Sequence, residues 1–141
     1  MKRNASAQWQ GDLKGGTGVI STESGVLEST PYSFKTRFES GKGTNPEELV
    51  AAAHAGCFTM ALSAELGKAS LVAQSLRTTA TVSLERDGAG WSVTGSHLDV
   101  VAKVPGASAD AFRKAAQAAE TGCPISKLLK AKITMDAKLE P

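Results

Sequence analysis

Cysteine is scarce in this chain, with only Cys57 and Cys123 among 141 residues. Neither belongs to a Cys-x-x-Cys pair. The only histidines are His54 and His97, and no His-x-x-x-His spacing occurs, so no metal is expected. No cofactor is implied either. Charge of one sign is also lacking: 16 basic residues against 14 acidic leave a net +2. With no basic run and scattered aromatics, that field is too weak to indicate a nucleic-acid partner. No run of about 18 apolar residues stands in the chain, which predicts no transmembrane helix and no membrane partner. The start, Met1-Lys2-Arg3-Asn4-Ala5-Ser6, is basic without an apolar run behind it, against a secretory signal. The expected setting is cytoplasmic and reducing, where a disulfide is more often catalytic than structural.

What is present suits a single domain over residues 1–141 with a real core: 41% of residues are hydrophobic and 21% charged. Residues 5–38 read as β structure punctuated by Gly11-Asp12 and Gly15-Gly16. Tyr32 to Phe38 alternates as a strand, with Tyr32, Phe34, Thr36 and Phe38 on one face. Asn45 then offers an N-cap, Pro46 fits the first helical position, and Glu47 and Glu48 suit the positive end of a helix. Asn45 and Glu48 have capping-box spacing. The helix runs to Leu66 with Gly67 as its stop, and its nearly continuous apolar surface predicts burial. Leu76–Leu84 and Trp91–Val104 form a hairpin about Asp87-Gly88-Ala89-Gly90. Ser108 caps a helix over 109–120, with Phe112, Ala115, Ala116 and Ala119 inward. Cys123 then caps a short helix opened by Pro124, and Ile133 to Leu139 alternate in a final strand. This order predicts an α+β fold.

The two thiols admit a plain reading and a chemical one. Free cysteine is commonly inert core, and that is the ordinary fate of two scattered thiols. A redox role needs an acidified thiol, since the thiolate is the nucleophile. Cys123, at a helix N-cap, receives backbone N–H groups and the helix dipole. Cys57 lies about eleven residues into its helix, where the dipole has faded, and needs a cation such as Arg37 or His54. His54 precedes it by three positions on the same face, although a core histidine is the plainer assignment. Local physics therefore makes Cys123 the more reactive thiol.

Several blocks together carry a specific resemblance: Trp9-Gln10-Gly11-Asp12, Ser21 to Leu27, Thr36-Arg37-Phe38, Thr44 to Leu49, Ala52-Ala53-His54-Ala55, Cys57-Phe58 and Gly122-Cys123-Pro124. Spread over essentially the whole chain, they resemble the osmotically inducible protein C family. Gly56 departs from the alanine expected before the first cysteine. The arginine of Thr36-Arg37-Phe38 favours the osmotically inducible branch over the organic hydroperoxide resistance branch. The resemblance implies antiparallel β-sheets around a long buried central helix, in an intertwined homodimer with active sites at the subunit interface. It also implies a thiol-dependent peroxidase acting on organic hydroperoxides in stress defence. Cys57 would attack the peroxide and Cys123 would resolve the product as a disulfide. Arg37 and Glu47 would complete the site, and an external dithiol, of the kind a dihydrolipoyl protein carries, would be the reductant. On their own, Arg37 reads as a solvated strand residue and Glu47 as a first-turn acid.

Geometry adds an expectation of its own. Glu47 and Cys57 stand ten residues apart on one helix, about 15 Å along its axis. One arginine does not easily reach both within one chain. Two such helices crossing antiparallel near Ala52 would bring each Glu47 to the other chain's Cys57, with Ala51-Ala52-Ala53 and Gly56 permitting the close approach. Phe34, Phe38, Phe58, Met60 and Phe112 are candidates for an apolar pocket, though each is individually a core residue by type. The reading from another class is a non-catalytic small-ligand or stress-binding protein with structural thiols. It differs in one respect: its thiols need not meet.

Overall fold

Three strands open the chain: β1 (Ala5–Gln10), β2 (Thr17–Thr22) and β3 (Thr30–Tyr32), joined as an antiparallel meander. Trp9 pairs with Gly18, and Gly18 pairs with Tyr32. The two rings close over the glycine, their centroids 5.4 Å apart. A Cβ on Gly18 would lie 2.3 Å from the Tyr32 ring and 2.7 Å from Trp9, so this row requires glycine.

The alternating segment 32–38 does not continue as a strand. Residues Phe34–Phe38 form a short helix, α1. Local hydrogen bonding overrides the period-two pattern. The Ser33 hydroxyl accepts from the Thr36 N–H at 3.2 Å, and the Thr36 hydroxyl accepts from the Ser33 N–H at 2.8 Å. Asn45 ties the next helix to this one: its side-chain amide donates to the Thr36 carbonyl at 3.0 Å, while its Oδ1 accepts from the Glu48 N–H at 2.8 Å. The latter is the N-cap of α2 (Pro46–Lys68).

α2 runs through Gly67 and stops in a Schellman motif. The Leu71 N–H bonds the Leu66 carbonyl and the Ser70 N–H bonds the Gly67 carbonyl, with Ser70 left-handed at φ 57°. The stop is set by Ser70 and not by Gly67. The helix has the length and composition of a membrane span, with a mean hydropathy of 1.4 over eighteen residues, although no eighteen of its residues are uniformly apolar. Its burial is one-sided: His54, Phe58, Leu62 and Leu66 form a buried i, i+4 stripe, while Ala52, Ala53, Gly56 and Met60 are exposed. The all-round burial expected of it is absent in the single chain.

The structure describes all 141 residues, and they divide into two compact units, 1–49 and 50–141. In the second unit, β4 (Ser75–Asp87) and β5 (Gly90–Lys103) form the long antiparallel hairpin. Gly88 supplies the positive φ, 60°, at the first position of its two-residue turn. Helices α3 (Ala109–Gly122) and α4 (Pro124–Leu128) follow, then β6 (Lys132–Glu140). Because the chain crosses over through two helices, β6 lies parallel to β5. This sheet is therefore mixed, where the resemblance implied antiparallel pairing throughout. Its inner face (Leu98, Val100, Ala102) and the α3 face (Phe112, Ala115, Ala116, Ala119) enclose Phe58, Leu62, Leu66 and Cys123.

Candidate active site

Arg37 stands in the last turn of α1 and Glu47 is the second residue of α2. The capping interactions of Ser33 and Asn45 fix both backbones, and the side chains meet as a fork. Arg37 Nε donates to both Glu47 carboxylate oxygens at 3.2 Å, and Nη2 donates to Oε1 at 2.7 Å. Arg37 also lies over the Phe38 ring, 5.3 Å from its centroid. Its side chain is 38% exposed against 13% for Glu47, so the guanidinium is held yet open to an incoming group. Beside it is a cavity of about 270 Å³ lined by Trp9, Leu13, Tyr32, Phe34, Phe38 and Pro46 among others, with Arg37 at its polar side.

The thiols form a second pair. Cys57 projects from mid-α2, and Cys123 is the joint between α3 and α4, ending one helix and starting the next. Their sulphurs are 2.7 Å apart and both are free thiols. Cys123 is wholly buried, whereas Cys57 is half-buried. Burial pushes the Cys57 thiol up, and sharing a proton with the Cys123 sulphur pushes it further; the Ile125 N–H opposes both. Burial also acts against the Cys123 thiolate. It is outweighed by the hydrogen bond from Cys57, the Ser126 N–H and hydroxyl, and the Ile125 N–H, so Cys123 lies below the ordinary thiol value.

His54 does not serve as the cation for Cys57. Its side chain is wholly buried, and desolvation lowers its pKa, which keeps the imidazole neutral near pH 7. Both ring nitrogens are engaged: Nδ1 with Ser96 Oγ at 2.7 Å and Nε2 with Ser126 Oγ at 2.9 Å. Neither serine stood out in the sequence. Ser96 had a legible signal, since its hydroxyl falls on the inward face that carries Leu98, Val100 and Ala102.

The aromatic candidates separate. Phe34 and Phe38 line the cavity beside Arg37, Phe58 and Phe112 are core, and Met60 is 77% exposed. A grouping with metal-ligand types also lies on the outer face of β5 and β6, where His97 Nε2 is 3.5 Å from Asp99 and 3.4 Å from Asp136. The Thr134 hydroxyl holds its Nδ1 at 2.7 Å. These contacts lie on the exposed outer face, and sequence spacing alone does not reveal them because Asp136 comes from the neighbouring strand.

Comparison with known proteins places this arrangement. Residues 39–138 match the family model of OsmC-like proteins. The chain is 51% identical over 138 residues to peroxiredoxin OsmC of Escherichia coli K12, covering 98% of this chain and 96% of that one. Among solved structures, an organic hydroperoxide resistance protein from Vibrio cholerae, described with captopril bound in one of its active sites, is 26% identical. It superposes with a TM-score of 0.66 over 96% of this chain and 90% of its own. An OsmC-like protein of unknown function from the same organism shares the fold at a TM-score of 0.77 with 16% identity, over 98% of this chain and 99% of its own. The sequence blocks, the fold and these relatives agree, and the chain belongs to the OsmC family.

Proposed function

We infer that this chain is a thiol-dependent peroxidase that reduces organic hydroperoxides to alcohols. The observation that carries the reading is the approach of two free sulphurs, 66 residues apart in sequence, to 2.7 Å. Structural thiols have no need to meet. The Cys57 thiolate attacks the distal peroxide oxygen; the O–O bond breaks and the alkoxide leaves to be protonated as the alcohol. Cys57 is then a sulfenic acid. Cys123 attacks its sulphur, a disulfide forms and water is released. An external dithiol, on a dihydrolipoyl protein by family resemblance, restores both thiols by exchange. Free thiols of this kind suit a reducing, cytoplasmic setting.

Attack requires a cation, because burial and Cys123 both raise the Cys57 thiol. Arg37 is the group for this role: it lowers the thiol pKa and stabilises charge on the departing oxygen, with Glu47 holding its guanidinium in place. Ten residues of α2, about 15 Å of rise, separate Glu47 from Cys57. A homodimer in which two α2 helices cross antiparallel supplies Arg37 from one subunit to Cys57 of the other. The uncovered small residues Ala52, Ala53 and Gly56 and the exposed Met60 support that packing. The apolar cavity beside Arg37 then takes the organic substituent of the substrate.

The direct test treats reduced protein with one equivalent of cumene hydroperoxide and maps disulfides by mass spectrometry. A Cys57–Cys123 link with loss of free thiol is expected. Thiols still unreacted after minutes would overturn the assignment.

A further inference from the structure

His54 and Ser126 are buried polar residues that the reaction above leaves unused, and they are arranged as a second rung beside the thiols. On α2, His54 and Cys57 stand one turn apart. On the opposing segment, Cys123 and Ser126 also stand one turn apart. The rungs connect one to one: Sγ to Sγ at 2.7 Å, and His54 Nε2 to Ser126 Oγ at 2.9 Å. The Ser126 hydroxyl also hydrogen-bonds the Cys123 sulphur. A single line of contacts thus runs from Cys123 through Ser126 and His54 to Ser96. An imidazole and two hydroxyls sealed among apolar groups are costly unless their bonds are all made, and here they are.

We propose that His54 and Ser126 are positioning residues for the resolving step: they dock the Cys123 turn against α2, and the Ser126 hydroxyl, itself held by His54 Nε2–H, donates to the Cys123 sulphur and steadies the thiolate that attacks the sulfenic sulphur. The inference rests on Cys57 and Cys123 acting as attacker and resolver. The tautomer it requires has Nε2–H donating to Ser126 Oγ, whose own O–H donates to the Cys123 sulphur, and Nδ1 accepting from the Ser96 hydroxyl. In the step, the sulphur–sulphur bond forms and the Cys57 sulphur–oxygen bond breaks. Hydroxide departs with its electron pair. The Cys123 thiol proton, already directed at the Cys57 side, passes to the departing hydroxide and leaves with it as water. Cys57 is reduced from sulfenic acid and Cys123 is oxidised from thiol, both to the disulfide. Burial keeps His54 neutral, so its acceptor nitrogen is available.

The test separates the two chemical phases. Reduced full-length protein is mixed with cumene hydroperoxide and quenched at intervals with dimedone and a thiol-blocking reagent, and sulfenic acid and disulfide are counted by mass spectrometry. In Ser126→Ala and in His54→Gln, sulfenic acid should form at the wild-type rate. Disulfide closure should slow by about tenfold or more, the scale of one lost hydrogen bond to a charged sulphur. Ser126→Thr, which keeps the hydroxyl, should restore closure to within a few-fold. A merely structural role would slow both phases together or show no rescue, and that result overturns the proposal. So does closure at the wild-type rate in both variants. A wild-type protein forming neither adduct nor disulfide would instead remove the attacker–resolver assignment itself, and the positioning role with it. If a variant fails to fold, the pH profile of wild-type Cys123 alkylation, located by mass spectrometry, decides: thiolate reactivity appearing below the ordinary thiol range is expected, and reactivity only at or above that range refutes it.

Discussion

The two pairs of side chains assigned to the reaction differ in what each already possesses. Arg37 and Glu47, within residues 1–49, form a charged fork that is part-exposed and carries no nucleophile. Cys57 and Cys123, within residues 50–141, form a nucleophilic pair in an apolar core with no cation among the groups that shift them. The first pair is preorganised by a bidentate ion pair and by capped helix ends. The second is preorganised by packing and by a shared proton. As folded in one chain, the thiols are arranged to close on each other more readily than to attack. Cys123 is the more acidic, and Cys57 is held up by burial and by its neighbour. Attack and resolution therefore make opposite demands on one pair of sulphurs, and the proposed approach of Arg37 is what would switch between them.

The largest expected effect separates the two sulphurs. Cys57→Ser should abolish peroxide turnover, because no other side chain is assigned to form the sulfenic acid. Cys123→Ser should retain a single rapid oxidation and then accumulate sulfenic and sulfinic acid at Cys57, measurable as mass increments. If Cys123→Ser were dead to the first equivalent of peroxide and Cys57→Ser were not, the roles would be reversed, in line with the acidity of the isolated chain.

The next effect tests the division between pairs. Arg37→Met, which keeps length without charge, should lower kcat/KM by about a hundredfold to a thousandfold, the cost of losing one preorganised donor to developing charge. Glu47→Gln should cost less, because the guanidinium remains but loses its fork. Mixing inactive Arg37→Met and Cys57→Ser subunits, co-refolded, then locates the site. A shared site regenerates one intact centre per mixed dimer, about half the activity of a normal dimer. A site completed within one chain regenerates none. Dead mixtures would place Arg37 and Cys57 of the same subunit together and refute the crossing of α2 helices.

Much of the fold was legible because local and long-range signals agreed. The Asn45-Pro46-Glu47-Glu48 start of α2, the β4–β5 hairpin and the inward face of α3 each follow from capping, turn chemistry or periodicity, and the structure has them. Segment 32–38 was misread because its alternation is also compatible with a five-residue helix, and the Ser33–Thr36 capping box decides between them. The parallel pairing of β6 was not visible, since strand direction depends on the crossover and not on the strand's own pattern. In the site, the cysteines stood out by residue type, whereas Arg37 and Glu47 were assigned as a pair only through the family resemblance, because alone they read as a strand residue and a first-turn acid. Ser96 and Ser126 did not, because their use depends on His54 being sealed between them. The exposed half of α2 marks the same limit in another way: composition called for burial, and one chain does not provide it.

That half-buried helix sharpens the comparison in energetic terms. Leu62 is fully enclosed by the second unit's core, so Leu62→Ala should destabilise the protein by about 3 kcal/mol through lost burial and a residual cavity. Met60 lies on the uncovered face, and Met60→Gln should leave the unfolding free energy of the subunit nearly unchanged while weakening self-association, read by sedimentation at falling concentration. Equal dimerisation in both proteins would show that the apolar face serves something other than a second copy.

The smallest expected effect concerns pH. His54 is wholly buried, and desolvation sets its folded pKa below the ordinary imidazole value, so the unfolded chain binds the extra proton more readily. Stability is therefore full above the unfolded value near 6.5 and declines as pH falls through it toward the lower folded value. The slope is at most about 1.4 kcal/mol per pH unit for one group. Urea unfolding at pH 7.5 and 5.5 should show a loss over that interval that His54→Gln lacks, once the acid-dependent contribution common to both proteins is subtracted. The same experiment bears on the thiols: protonating His54 puts a proton on the nitrogen that accepts from Ser96, so that contact must reverse, and the buried charge disfavours the seat the ring shares with Ser126 and the Cys123 turn. Disulfide closure should accordingly slow over the same pH interval in the wild type and stay flat in His54→Gln, whereas an identical pH profile in both would show that the histidine merely fills space between two serines.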